Sequence, residues 1–194
     1  MPEPAITPDL LLEAYRAGAF PMAPSRTGRV RWYTADPRAI LPLDAFNVPR
    51  SLRKALRAAP FTFTRDAAFE QVIAACAQPR PYEANTWIND EIIAAYTALH
   101  HAGHAHSVEA WASTAADEKP RLVGGLYGVA LGAAFFGESM FSLASNASKA
   151  CLVHLVDHLN ARGFTLLDTQ FHNPHLEQFG LTEVPLADYL RRLR

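Results

Sequence analysis

Two acids and an amide stand where they could do chemistry. In Leu167-Asp168-Thr169-Gln170 a carboxylate and a carboxamide lie two residues apart, at the end of a mostly apolar run that begins at Phe164. Side chains alternate along a strand, so Asp168 and Gln170 would share one face. That face is either a polar strand end meeting water or an acid and an amide aimed together at a substrate. Glu138 sits in the aromatic segment Ala134-Phe-Phe-Gly-Glu-Ser-Met-Phe141, where alternation places it with Phe136 and Met140. An ionised acid there is costly if buried without a partner. Glu138 therefore either faces solvent from an edge strand or belongs to a site. Asn146, Ser148 and Lys149 follow at the start of an expected helix. The free N–H groups of a helix start suit an anionic or carbonyl ligand, or simply a cap.

A different chemistry is suggested by Arg50, Arg53, Lys54 and Arg57. Their spacing of i, i+3, i+4 and i+7 makes one helix face, with Leu52, Ala55 and Leu56 opposite, and no acid occurs from Val48 to Arg65. The stripe is either a solvated helix face or a contact for a phosphate backbone. Trp32, Tyr33 and Trp87 are either core anchors or platforms on which a base stacks.

Other chemistries find little support. His100, His101, His104 and His106 suggest a metal cluster, but Gly103 is expected to end a helix between them, and no Cys or carboxylate stands at zinc-site spacing. No metal is expected. The string Gly124-Gly-Leu-Tyr-Gly128 does not fit a phosphate-binding loop and lies in a strand-like run, where bulges or close packing of a neighbouring backbone explain it. No Gly-x-Ser-x-Gly elbow occurs, and neither Cys76 nor Cys151 sits in a nucleophile signature.

The elements that must position these groups follow from pattern. At 194 residues the chain suggests one domain or one with a small appendage. Hydrophobic residues at 49% and charged residues at 19% indicate a globular protein, and a net charge of −1 excludes an overall basic coat. Pro and Glu stand where a signal peptide would carry Lys or Arg. The longest run free of both charged residues and histidine, 16 residues between Arg121 and Glu138, is short and glycine-rich for a membrane helix. With two isolated cysteines, a cytoplasmic location is expected.

Thr7-Pro8 should start a helix over 10–17, and residues 30–34 and 39–43 read as extended. Prolines recur through this stretch, so residues 1–47 form an expected small, loop-rich N-terminal domain, and residues 48–194 the larger one. In the latter, helices are expected over 50–58, after an Asp66 cap, and after an Asn89 cap. Strands are expected over 61–65, 106–111, 122–131 and 134–141, with 114–121 as a hairpin loop. A long helix capped by Ser145 or Asn146, a strand over 164–171 and two short helices complete the chain. The class is α+β with a mixed, mostly antiparallel sheet flanked by helices.

Several strings occur together in one order: Ala14-Tyr-Arg-Ala-Gly-Ala-Phe-Pro21, Trp32-Tyr-Thr-Ala-Asp-Pro-Arg-Ala39, Thr86-Trp-Ile88, Gly103-His-Ala-His-Ser-Val-Glu109, Leu122-Val-Gly-Gly-Leu-Tyr-Gly-Val129, Gly137-Glu-Ser-Met-Phe-Ser142, Asn146-Ala-Ser-Lys149 and Leu167-Asp-Thr-Gln170. In these the chain closely resembles the bacterial leucyl/phenylalanyl-tRNA–protein transferases. The resemblance implies a small N-terminal domain beside a catalytic domain similar to the acetyltransferase superfamily. It implies transfer of Leu or Phe, and by extension Met, from aminoacyl-tRNA to proteins beginning with Arg or Lys, marking them for degradation by the N-end rule route. No cofactor, metal or membrane partner is implied, and the acetyl-CoA loop pattern Q/R-x-x-G-x-G/A is missing.

Carried over residue by residue, Asp168 and Gln170 look like the pair that helps deprotonate the attacking amine, and Glu138 like the acid that orients substrate groups. The apolar aminoacyl pocket maps to Leu126, Phe135, Met140, Leu152, Leu155 and Leu167. Tyr33, where the family can have Trp, and Trp87 look like the stacking pair for the terminal adenosine. Arg50, Arg53, Lys54 and Arg57 remain the candidate tRNA-backbone stripe. Two other functions stay open: an acyl-CoA-dependent acyltransferase, and a non-catalytic adaptor for basic N-termini.

Overall fold

The computed structural model describes residues 6–58, 61–79, 85–113 and 119–193. Thr7 Oγ1 accepts the Leu10 N–H at 3.2 Å, and Pro8 fills the first turn, so the chain opens as helix α1 (Pro8–Arg16). Two short strands, β1 (Phe20–Met22) and β2 (Arg31–Tyr33), pair with each other as a ribbon. There follow β3 (Arg38–Leu41), α2 (Arg50–Ala58), β4 (Thr62–Arg65), α3 (Phe69–Cys76) and α4 (Asp90–His101). Asn89 caps α4 by accepting the Ile92 N–H at 2.9 Å. Then come β5 (Ala105–Ala112), β6 (Arg121–Leu131), β7 (Ala134–Ser142), α5 (Ala147–Ala161), β8 (Leu166–Gln170), α6 (Pro174–Glu177), β9 (Thr182–Val184) and α7 (Leu186–Leu193).

Seven strands form one sheet in the order β4-β5-β6-β7-β8-β3-β9. Every neighbouring pair is antiparallel except β7 with β8. The expected α+β class, a mostly antiparallel mixed sheet flanked by helices, is the observed one. Alternation divides the buried side chains between two cores. Ile40, Tyr127, Phe136 and Leu166 pack with α1, α3, α4 and α7, while Leu41, Leu126, Phe135 and Leu167 pack with α2, α5 and α6. Two glycines in β6 allow close approach. A Cβ on Gly124 would lie 2.5 Å from the Cβ of Ala147 at the start of α5, and one on Gly128 would meet the Phe136 carbonyl.

Several local expectations are corrected. Arg38–Leu41, read with the N-terminal piece, is a strand inside the large sheet, between β8 and β9. Strands β1 and β9 have three residues each, too few for a period to register. Asp66 does not cap α3. It adopts φ 57°, and its carboxylate accepts the Ser107 N–H at 2.8 Å and meets His106 Nδ1 at 2.9 Å. Asn146 at φ 64° makes no side-chain cap to α5; Ser142 Oγ instead accepts the Ser148 N–H at 3.2 Å. Glu138 is not on an edge, since β7 lies between β6 and β8. Of the expected hairpin loop, residues 114–118 lie outside the described residues. No helix among the described residues is long and apolar enough to cross a membrane.

Candidate active site

The site forms where β7 and β8 separate. Their parallel pairing runs only from Ala134↔Leu166 to Phe136↔Asp168, after which β7 continues against β6 alone. Both strands carry a bulge at this level. Tyr127 pairs with Ser139 and Gly128 with Gly137, so Glu138 has no partner on β6. Ile40 pairs with Asp168 and Ala39 with Gln170, so Thr169 is extra on β8. A bulge re-aims side chains and increases local twist. It also breaks the alternation assumed for Glu138: Phe136 stays in the core with Tyr15 and Tyr96, whereas Met140 packs against the opposite core.

The fork opens into a cavity of about 950 Å³ lined from both faces of the sheet. Five of the six expected pocket residues, Leu126, Met140, Leu152, Leu155 and Leu167, line it. Phe135 does not; it is buried in the core cluster that contains Leu126, Leu152, Leu155 and Leu167. Glu138 and Gln170 both line the cavity, and Asp168 does not.

Glu138 is held by hydroxyls rather than by a cation. The Tyr15 hydroxyl lies 2.7 Å from Oε1 and the Tyr96 hydroxyl 3.1 Å from Oε2, and the two hydroxyls also meet each other, so two phenol protons, with the carboxyl's own when it is protonated, serve three contacts. Gln170 Nε2 lies 3.4 Å from Oε1. Burial raises the carboxyl pKa and nearby Asp168 adds to the effect; the tyrosine hydrogen bonds and Arg38 oppose it, and the outcome is a value pushed up to about 7. Burial likewise pushes the Tyr15 and Tyr96 hydroxyls well above their ordinary range, so both act as donors.

Asp168 and Gln170 stand two residues apart at the end of β8, but their side chains serve different neighbours. Asp168 is fully buried and accepts four hydrogen bonds. Oδ1 takes Arg38 Nε at 2.9 Å and the Gln170 N–H at 2.8 Å; Oδ2 takes Arg38 Nη2 at 2.6 Å and the Tyr189 hydroxyl at 2.8 Å. The bond to Gln170 is thus to its backbone, not to its amide. Gln170 has φ 60°, a left-handed conformation uncommon outside glycine and typical of functional sites. Its Nε2 is committed to the Glu138 carboxylate, which only accepts when ionised, so its Oε1 is the acceptor left for a ligand.

Arg38, Tyr15, Tyr96 and Tyr189 are site residues that the sequence reading missed. Arg38 carried the same signal as Glu138, a charge beside the apolar run Ala39-Ile-Leu41, but a neighbouring Asp36-Pro37 turn masked it. Burial alone would lower its pKa; Asp168 more than offsets this and holds the guanidinium charged. The tyrosines stand on apolar stripes, and only the need of a buried hydroxyl for a partner marks them.

Tyr33 and Trp87 are brought together. Both line a second cavity of about 300 Å³ with Met22, Pro24 and Phe171, and Trp87, Met22 and Phe171 line the main cavity as well. Arg50, Arg53, Lys54 and Arg57 are all exposed on α2, opposite the buried Leu52, and none lines either cavity. Of the histidines, His100 stacks on Phe69 with ring centroids 4.3 Å apart, and His106 pairs with Asp66.

A model of the Leucyl/phenylalanyl-tRNA protein transferase family matches residues 40–194, and a model of that family's N-terminal domain matches residues 5–36. A Salinibacter ruber protein named Leucyl/phenylalanyl-tRNA--protein transferase is 54% identical over 188 residues, covering 97% of this chain and 79% of its own. Among solved structures, the crystal structure of FemX aligns with a TM-score of 0.54 at 12% identity, covering 95% of this chain and 65% of that one. This chain therefore spans less than two thirds of that structure, and the likeness concerns the fold alone.

Proposed function

Since the chain belongs to the leucyl/phenylalanyl-tRNA protein transferase family, we propose that it moves Leu or Phe from aminoacyl-tRNA to the α-amino group of proteins that begin with Arg or Lys, in the cytoplasm, as a mark for N-end rule degradation. Residues 1–47 would contribute Tyr33 to the nucleotide end and Tyr15 and Arg38 to the support of the transfer site, whose reacting groups come from residues 48–194. The observation that carries this reading is the forked cavity, apolar in one part and flanked by aromatics in another, with Glu138 and Gln170 on its wall.

The reaction is aminolysis of an ester and needs no strong nucleophile from the protein. An α-amino group with a pKa of about 8 is already neutral in about a tenth of molecules at pH 7. Its nitrogen attacks the aminoacyl carbonyl, the C–N bond forms, and the bond to the 3′ oxygen breaks. Gln170 Oε1 accepts an N–H of the amine and aims its lone pair. Glu138, with a pKa of about 7, takes the proton released from nitrogen and returns it to the departing 3′ oxygen. Asp168, its lone pairs filled, anchors Gln170 instead of acting as base. Holding amine and ester at attack distance supplies several kcal/mol, up to about 7–11 in favourable cases.

Leu126, Met140, Leu152, Leu155 and Leu167 would receive the transferred side chain, with Phe135 supporting them from behind. Such a wall rejects a charged aminoacyl group by desolvation and separates Leu, Phe and Met by shape only. Tyr33 and Trp87 would hold the terminal adenosine, and Arg50, Arg53, Lys54 and Arg57 the tRNA backbone. The test is transfer of labelled Leu or Phe from charged tRNA to a peptide beginning with Arg. Label in that peptide, and none in one beginning with Asp, is the expected result; no label in either returns the chain to an adaptor role.

A further inference from the structure

Arg38 is the largest fully buried side chain, and no part of the transfer chemistry above uses it. Its guanidinium is fixed on every side. One face lies over the Phe20 ring, 4.6 Å from its centroid, and another contact is to the Tyr189 ring at 4.7 Å. Nη1 donates to the Gly18 carbonyl at 3.0 Å, while Nε and Nη2 form a two-pronged pair with the Asp168 carboxylate at 2.9 and 2.6 Å. Five parts of the fold thus meet on one cation: the α1–β1 turn, β1, β3, β8 and α7.

What this arrangement fixes is the orientation of Asp168. A carboxylate on a strand can rotate about χ2 and offer different lone pairs. Here Arg38 holds both oxygens in one plane, and Tyr189 occupies the remaining site on Oδ2. The free lone pair of Oδ1 is therefore presented to the Gln170 N–H at 2.8 Å. That bond closes across the Thr169 bulge and holds Gln170 in its left-handed conformation, from which the amide reaches Glu138. Phe20, gripped from the other side by Arg38, also lines the cavity and meets Phe171 edge-on at 5.3 Å.

We propose that Arg38 is a positioning residue for aminoacyl transfer: through Asp168 it sets the backbone of Gln170, and so the direction in which the Gln170 carbonyl oxygen meets the incoming amine. The inference rests on the reading of Gln170 as the amine's acceptor. Tyr189 on α7 serves the same end, which gives the C-terminal helix a part in the site.

Single-turnover transfer with saturating aminoacyl-tRNA separates placement from binding. Arg38→Lys keeps the charge but cannot span both carboxylate oxygens, and it lowers the rate roughly 10- to 100-fold, the scale on which small misplacements act. Affinity for aminoacyl-tRNA changes less than about twofold, and the pH midpoint of the rate is unmoved because Glu138 is left in place. In an Asp168→Asn background the same change costs less than about twofold, because the group through which Arg38 acts is already altered. If Arg38→Lys does not fold, as judged by near-ultraviolet circular dichroism, Tyr189→Phe carries the test. It removes one of the four bonds to Asp168 and slows transfer about three- to tenfold, again without adding to Asp168→Asn. A folded Arg38→Lys, or failing that Tyr189→Phe, that transfers at the wild-type rate overturns the proposal. So do effects that multiply with Asp168→Asn. Wild-type protein that transfers nothing overturns the functional reading instead, which keeps the two failures distinct.

Discussion

Replacing Glu138 by Gln removes a charge while keeping volume and polarity, and it isolates the cost of that charge in the folded protein. Burial lifts the carboxyl from its ordinary 4.5 to about 7. At about 1.4 kcal/mol per pH unit, that span amounts to about 3 kcal/mol when the group is fully ionised. Because Glu138 faces the cavity, where solvent screens part of the field, about 1.5–3 kcal/mol is the expected range. The sign follows from proton binding. The folded protein holds this proton more tightly than the unfolded chain does. The carboxyl's favourable contribution is therefore complete below pH about 4.5 and is lost as the pH climbs through about 7. The Gln variant has no such proton.

Urea unfolding of wild type and Glu138→Gln, run side by side from about pH 4 to about pH 8, reads this directly. The variant should gain about 1.5–3 kcal/mol on the wild type across that range, most of it between about pH 4.5 and 7. Other titrating groups cancel in the difference. Transfer gives a second reading: the wild-type rate rises with an inflection near 7, and the variant keeps only the amine's own titration and runs about 10²–10⁴-fold slower. Unfolding curves that stay a constant distance apart at all pH values would refute the perturbed carboxyl and, with it, the proton-carrying role of Glu138.

Trp87→Ala removes a wall shared by both cavities, and calorimetry with a non-hydrolysable aminoacyl-adenosine should show about 1–3 kcal/mol of lost binding. Leu152→Phe adds bulk to the apolar wall and should depress transfer of Phe more than transfer of Leu, read from paired rates with the two charged tRNAs. Equal losses would mean that Leu152 does not contact the transferred side chain. Arg53→Ala with Lys54→Ala should lower the slope of log affinity against log salt by about 2 for tRNA, at about one per phosphate contact. An unaltered slope assigns the stripe on α2 to solvent alone.

Much of this site could be read from residue types alone, because a carboxylate in an apolar strand announces a cost that something must offset. That reasoning makes Glu138 a candidate, strand spacing makes Asp168 and Gln170 a second one, and the fold brings the three to one fork. What could not be read was direction. Alternation puts Glu138 on one face with Phe136 and Met140, but the bulge at Glu138 sends Phe136 and Met140 into different cores. A bulge is a mismatch between two strands: the glycines of β6 hint that one occurs, but which residue of β7 it leaves unpaired belongs to the pairing and not to either sequence. The same limit hid the Arg38–Asp168 pair, whose partners are 130 residues apart and meet only because β3 inserts between β8 and β9.

The buried ion pair also explains why the strained turn at Gln170 can persist. A non-glycine residue in the left-handed region costs on the order of 1–3 kcal/mol and stands only where its surroundings over-determine it. Asp168 could not do this alone, for a buried carboxylate without a partner is costly and free to turn about its side chain. Arg38 grips both of its oxygens, and this leaves Oδ1 facing the Gln170 N–H. Glu138, by contrast, has hydroxyl partners and, among the described residues, no ion pair, which leaves its proton exchangeable near neutrality. The two acids differ in what their neighbours offer them: one is clamped by a two-pronged cation to fix a shape, the other left near its balance point to move a proton.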